Sequence, residues 1–166
     1  AGEPGDSEVL VIAEAGVNHN GDPELAHRLV DAAAEVGADV VKFQTFDAAL
    51  VAAGSARTAA YQADAGQGEG QLKMLRRLEL PSGVWPELQD HAHQRGLVFL
   101  STAFDDNSLE LLVGMGVDAL KVPSGELDNL AFLERHAACG LPLIVSTGMA
   151  TGAEVDWAMS VLSGVG

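Results

Sequence analysis

The hydrophobic residues of this chain recur as short unbroken runs, and most of these runs follow a glycine that ends a helical stretch. Unbroken apolar runs, as opposed to alternating ones, are typical of parallel strands. A glycine just after a helix accepts the left-handed backbone conformation at little cost. The pattern predicts five strands at residues 8–15, 39–45, 98–103, 119–124 and 142–147, with Gly37, Gly96, Gly116 and Gly140 before the last four.

Amphipathic segments between these runs predict helices. The first begins with Asp22 as N-cap and Pro23 in the first turn, a favourable start for a helix. Residues 47–80 are different, because they form a long connection rich in Ala and Gly, and such connections are usually functional or disordered. Within it, "QLKMLRRLEL" predicts a short helix. The other predicted helices are "PSGVWPELQDHAHQRG", "DDNSLELLVGMG", "LDNLAFLERHAACG" and "TGAEVDWAMSVLSG".

Five consecutive βα units fit either a doubly wound open sheet or part of a TIM barrel. Polar residues occur at the carboxyl end of every predicted strand, whereas an open sheet binds its ligand mainly at one switch point. We therefore predict an α/β fold of the TIM (β/α)8 type. Because a complete barrel usually needs about 250 residues, the 166 residues predict an incomplete one, with about the first five βα units.

Composition narrows the classes of function. The net charge of −15 argues against nucleic-acid and anionic-membrane partners. No apolar run is long enough to span a membrane, and no signal peptide is visible. Cys139 is the single cysteine, which excludes an internal disulfide and favours the cytoplasm. With only nine Lys and Arg residues in the chain, a lysine at a strand end is conspicuous.

The polar residues at the strand ends suit an anionic ligand. Two lysines with serine and threonine hydroxyls can hold phosphate and carboxylate groups, and neighbouring glutamates can orient hydroxyls or move protons. For Ser101 and Thr147 a helix-capping role is the more economical expectation. A single lysine could also extend to solvent. The set consists of Glu14, Lys42, Gln44, Ser101, Thr102, Lys121, Ser124, Glu126, Ser146 and Thr147.

Four segments together resemble the N-terminal barrel region of the sialic acid synthase family, which includes N-acetylneuraminate synthase and the legionaminic and pseudaminic acid synthases. The resemblance covers about residues 8–162, and its motifs occur in the family's order. One departure is Ala103, where many relatives have proline, which we expect to shift the loop slightly. The four segments are "VIAEAGVNHNGDPELAHRLVDAAAEVGADVVKFQTF", "FLSTAFD", "KVPSGELDN" and "PLIVSTGM".

The resemblance implies condensation of phosphoenolpyruvate with an N-acyl amino sugar, such as N-acetylmannosamine, to a nine-carbon sialic acid and phosphate. By the same resemblance, Glu14 and Glu126 lie at the reacting centre, and Gln44 contacts the sugar. The residues implied to hold phosphoenolpyruvate are Lys42, Thr102, Lys121, Ser124 and Ser146.

The family also implies a divalent metal, Mn or Mg, whose two histidine ligands lie beyond the fifth strand, together with the remaining barrel strands and a C-terminal antifreeze-like domain. We therefore expect 1–166 to be one partial barrel domain, inactive alone and homodimeric when complete. Of the five histidines only His19 follows a predicted strand end, and no motif makes it a ligand. Two alternatives remain: another phosphoenolpyruvate-using sugar-acid synthase of this barrel type, or a non-catalytic truncated chain.

Overall fold

The computed structural model describes residues 9–52 and 67–164, and residues 67–69 only by their backbone. Five strands form one parallel sheet in the order β1-β2-β3-β4-β5, which is also their order along the chain. A doubly wound sheet reverses its strand order at a switch point, whereas a barrel keeps it sequential. The strands are β1 Ile12–Gly16, β2 Val40–Thr45, β3 Val98–Ala103, β4 Leu120–Val122 and β5 Leu143–Val145.

Six helices of more than one turn lie within the described residues, and residues 48–52 are also helical. Residues 53–66, part of the long connection predicted as functional or disordered, lie outside the described residues, so that prediction is untested there. Beyond them the predicted short helix is confirmed and begins earlier, at Gln67. The helices are α1 Pro23–Glu35, α2 Gln67–Leu78, α3 Val84–Gln94, α4 Asp106–Met115, α5 Leu130–Ala138 and α6 Gly152–Ser163.

The predicted helix ends are confirmed in detail. The Asp22 carboxylate accepts hydrogen bonds from the backbone N–H groups of Glu24 and Leu25, so it caps α1. The four glycines predicted to follow helices all have φ between +66° and +78°, the conformation that costs glycine least. These glycines turn the chain from each helix into the following strand.

The hydrophobic core lies between the helices and one face of the sheet. On that face, neighbouring strands contribute Ala13, Val41 and Phe99, which are register partners across β1, β2 and β3. Phe43 stacks on Phe99 and meets Trp85 of α3 edge to face. The opposite face carries the polar side chains, as the inner face of a barrel does near its carboxyl end. The topology is therefore that of the first five units of a TIM-type barrel, as predicted.

Two boundaries of the sheet have no further strand within the described residues, namely the outer edges of β1 and β5. Hydrophobic side chains are exposed near both edges. Val9 and Leu10 precede β1, and Trp157 and Met159 lie on α6 after β5. No helix in the described part of the chain is long and apolar enough to cross a membrane.

Candidate functional site

The polar face of the sheet brings together predicted residues from four strands. Glu14 of β1 is the register partner of Lys42 of β2. Thr102 of β3 is the register partner of both Gln44 of β2 and Lys121 of β4. Register partners in a parallel sheet point to the same face. The sheet therefore places these five side chains side by side on one surface at its carboxyl end.

Glu14 and Lys42 form an ion pair, with 2.5 Å between Oε2 and Nζ. The lysine side chain is 13% exposed and the glutamate side chain 50% exposed, so the pair lies at the edge between the interior and solvent. A register irregularity follows Glu14, and Gly16 has a φ of +53°. A Cβ on Gly16 would lie 3.0 Å from Oε1 of Glu14. The missing side chain of Gly16 therefore leaves room for the Glu14 carboxylate.

Lys121 is held by uncharged groups. Its ammonium donates hydrogen bonds of 2.6 Å to the backbone carbonyl of Val122 and to Oγ of Ser146. Burial lowers the pKa of Lys121, as does the nearby charge of Lys42, while Glu14 acts in the opposite direction. Among the described residues no carboxylate lies within ion-pair distance of Lys121. An anionic ligand would therefore give Lys121 the direct charged partner that it lacks among the described residues.

The hydroxyl groups of β3 face opposite sides of the sheet. Thr102 is on the polar face and 2% exposed. Ser101 is on the other face, where its Oγ lies 2.7 Å from Oγ1 of Thr45. The expectation that Ser101 caps a helix is wrong, because Asp105 caps α4. Ser101 is instead a buried hydroxyl that needs a partner, and the neighbouring strand supplies it.

The expected capping role of Thr147 is also wrong. The N-cap of α6 is Thr151, whose hydroxyl accepts from the Glu154 N–H while the Glu154 carboxylate accepts from the Thr151 N–H. This reciprocal pair is a capping box. Thr147 lies in the loop between β5 and α6, where Met149 has a φ of +64°. Its hydroxyl is therefore not needed for helix initiation.

Ser124 and Glu126 lie in a 3-10 turn after β4. A Cβ on Gly148 would lie 3.5 Å from the Ser124 hydroxyl, so this turn packs against the loop after β5. The Glu126 carboxylate accepts a 2.7 Å hydrogen bond from Nδ2 of Asn129. Among the described residues Glu126 has no ion pair with Lys42 or Lys121. The two predicted catalytic glutamates therefore have different surroundings.

His19 is buried beneath the loop after β1. Its Nδ1 accepts a 3.1 Å hydrogen bond from the Gly21 N–H, and its ring lies beside Phe43 and Trp85. Burial lowers the pKa of His19, although Asp22 opposes the effect. The neighbouring Asp22 carboxylate caps α1 and the ring packs against Phe43 and Trp85, so the described surroundings of His19 are those of a packed loop residue. Within residues 9–52 and 67–164 no group of three or more His, Cys, Asp or Glu side chains is arranged to hold a metal ion.

Sequence reasoning missed two features of the site. Gly16 was not predicted as a site residue, although a glycine two positions after an acidic strand residue was a visible signal. The Glu14–Lys42 ion pair was not predicted either, because it depends on the register between β1 and β2. Both features concern the same carboxylate.

Comparison with known proteins gives a consistent result. The NeuB family model matches residues 29–166. N,N'-diacetyllegionaminic acid synthase of Campylobacter jejuni is 45% identical over 156 residues, which cover 93% of this chain and 47% of that protein. The crystal structure of N-acetylneuraminic acid synthetase from Leptospira borgpetersenii, in complex with citrate, is 30% identical with a TM-score of 0.82. The matched region covers 97% of this chain and 52% of the Leptospira chain.

The chain belongs to the NeuB family, which confirms the resemblance to the sialic acid synthases. It spans about half the length of the curated relatives it matches. The sheet also resembles that of DAHP synthase from Thermotoga maritima, with a TM-score of 0.63 over 94% of this chain and 38% of that one. At 11% identity this likeness concerns the fold alone and supports the barrel-type architecture. The relatives named here are sugar-acid synthases.

Proposed function

We propose that this chain supplies the phosphoenolpyruvate-binding half of a sugar-acid synthase. The whole protein would condense phosphoenolpyruvate with an N-acyl amino sugar and release phosphate. The observation that carries the proposal is the placement of Lys42 and Lys121 on one polar surface of an otherwise strongly acidic chain, where Lys121 has no described acidic partner. Two ammonium groups beside the hydroxyls of Thr102 and Ser146 suit a ligand that carries both phosphate and carboxylate.

The proposed roles follow from the family resemblance, and the placement of Lys42, Thr102 and Lys121 on one face of the sheet supports them. Lys42, Lys121, Thr102 and Ser146 hold the anion so that C3 of phosphoenolpyruvate faces the sugar aldehyde, which is a positioning effect. C3 forms the new carbon–carbon bond, water adds at C2, and the resulting intermediate expels phosphate by cleavage of its C–O bond. Glu14 and Glu126 are the groups available to move protons. Ser124 is a further proposed contact to the anion, and Gln44 is the proposed contact to the sugar.

Other parts of the whole enzyme are also proposals. The exposed edges of β1 and β5 would pair with the remaining barrel strands, since a closed barrel leaves no edge. A divalent ion, Mn or Mg, would take its ligands from outside this chain. We place the enzyme in the cytoplasm as a homodimer with a C-terminal antifreeze-like domain, on the family resemblance. The acceptor is an N-acetylmannosamine-like sugar, and the likeness to a diacetyllegionaminic acid synthase favours including diacetamido sugars.

The test is an activity assay of the full-length protein with phosphoenolpyruvate and a panel of N-acyl amino sugars, with and without added Mn. Release of phosphate that depends on one sugar, with formation of a nine-carbon acid, is the expected result. Turnover with a sugar that carries no N-acyl group would favour another sugar-acid synthase of this barrel type. Absence of any turnover would favour the non-catalytic alternative.

A further inference from the structure

We propose that Glu14 occupies the anion position on Lys42 while the site is empty, and that phosphoenolpyruvate must displace it. The inference rests on the proposed function and concerns how its site is controlled. Glu14 then acts before the reaction, because its carboxylate competes with phosphoenolpyruvate for the ammonium of Lys42. The evidence is the ion pair, the exposure of its two members and the space around the carboxylate.

In the ion pair the ammonium of Lys42 is already bound to the Glu14 carboxylate. The distance of 2.5 Å between Nζ and Oε2 is that of a short, charge-assisted hydrogen bond. Only 13% of the Lys42 side chain is exposed, so there is little room for a second anionic group on the same ammonium. A phosphate or carboxylate brought against Lys42 would also lie next to the negative charge of Glu14, and like charges at contact distance repel strongly.

The same geometry makes Glu14 the movable partner. Its side chain is 50% exposed, against 13% for the lysine, so the carboxylate can return to water at a smaller desolvation cost. A Cβ on Gly16 would lie only 3.0 Å from Oε1 of Glu14. Because glycine has no Cβ, no side chain at position 16 restrains the carboxylate. Nε2 of Gln44 lies 3.7 Å from the same Cβ position. A displaced carboxylate therefore stays beside the residue proposed to contact the sugar.

Lys121 is not restrained in this way. Its ammonium donates to neutral oxygens of Val122 and Ser146, and both burial and Lys42 lower its pKa. Lys121 has no direct acidic partner among the described residues, so an anion can bind its ammonium without displacing a carboxylate. The two lysines therefore differ, in that Lys121 is open to the anion and Lys42 becomes open only when Glu14 leaves it.

The experiment compares phosphoenolpyruvate binding to the full-length protein and its variants by isothermal titration calorimetry. Glu14→Gln removes the competing charge and should bind phosphoenolpyruvate tighter, by roughly 10-fold to 100-fold, the range expected for freeing one charge-assisted contact. Glu14→Asp keeps the charge on a shorter side chain and should fall between wild type and Glu14→Gln. The matched control is Glu110→Gln, which removes an exposed carboxylate of α4 outside the proposed site. It should change the affinity less than twofold in physiological salt, where charges out of contact are screened.

The outcomes separate the two hypotheses. If wild type binds phosphoenolpyruvate and both Glu14 variants bind it equally or more weakly, Glu14 does not compete, and only this inference fails. If Glu110→Gln tightens binding as much as Glu14→Gln, the effect comes from overall charge, and the inference also fails. If neither wild type nor any variant binds phosphoenolpyruvate at millimolar concentration, both this inference and the proposed function fail. A thermal melt of each variant identifies one that does not fold, and the remaining Glu14 variant then decides.

Discussion

Replacing Lys121 with Met is the most direct perturbation of the proposed anion site. Methionine keeps most of the apolar length of the side chain and removes the ammonium, with its two 2.6 Å hydrogen bonds to Val122 and Ser146. A hydrogen bond to a charged group contributes about 1.5–3 kcal/mol. We therefore expect the affinity for phosphoenolpyruvate to fall by roughly 10-fold to 150-fold.

The stability of the fold should fall by less than these hydrogen bonds alone suggest. Both have a charged donor, so at the low end of that range they contribute about 3 kcal/mol together. Their loss is opposed by the removal of a partly buried charge beside Lys42, the same two causes that lower the pKa of Lys121. A lowered lysine pKa means that folding disfavours the charged form, so removal of the charge is favourable below that pKa. The net loss in the free energy of unfolding should therefore be under about 2 kcal/mol.

Two measurements on the same variant test this reasoning. Calorimetric titration with phosphoenolpyruvate gives the affinity, and urea unfolding gives the stability. Lys73→Met is the matched control, because Lys73 is an exposed lysine of α2 and its loss removes the same charge. A Lys121→Met protein that binds normally but unfolds far more easily would show that Lys121 is a structural lysine. Equal weakening in the Lys73 variant would point to overall charge.

Three further predictions concern single groups. Glu126→Gln should lower kcat far more than the affinity for phosphoenolpyruvate, because the amide cannot accept a proton; an unchanged kcat in a steady-state assay contradicts that role. Thr151→Ala should reduce the free energy of unfolding by about 1 kcal/mol through loss of the capping box, and an unchanged urea midpoint would show that α6 does not need its cap. Burial lowers the pKa of His136, so its neutral form stabilises the fold above about pH 6.5 and this contribution is lost as the pH falls below that value. His136→Gln should therefore show a shallower decline in unfolding free energy from pH 7.5 to 5.5 than wild type, and exposed His93→Gln should not.

The general fold could be predicted from the sequence because its signals are local. Asp22 and the four glycines fix helix ends through their own conformational preferences, and the structure confirms each of them. The five apolar runs gave strands whose predicted limits differ from the observed ones by at most four residues. The barrel-type order followed from the even distribution of polar residues over the strand ends. These inferences need only the neighbourhood of each residue along the chain.

The errors concern partners that lie far apart in sequence. Ser101 is followed by a helix and was expected to cap it, but it lies on β3 with its hydroxyl in contact with that of Thr45 on β2. Glu14 was recognised as unusual, yet its pairing with Lys42 depends on a register that the sequence does not contain. The start of α2 was predicted four residues late, because Gly68 and Gly70 have low helix propensity. The partners of such residues are set by contacts between segments that are distant in sequence.

The sequential strand order also determines how the anion site can form during folding. Most neighbouring strands are separated by one helix, so their contacts close short loops. The pairing of β2 with β3 is different, because it encloses residues 46–97. Closing a longer loop costs more entropy, and topologies with distant contacts fold more slowly. The meeting of Gln44 with Thr102 is therefore expected to be the slow step, whereas Glu14 and Lys42, separated by α1 alone, can pair early as the chain leaves the ribosome.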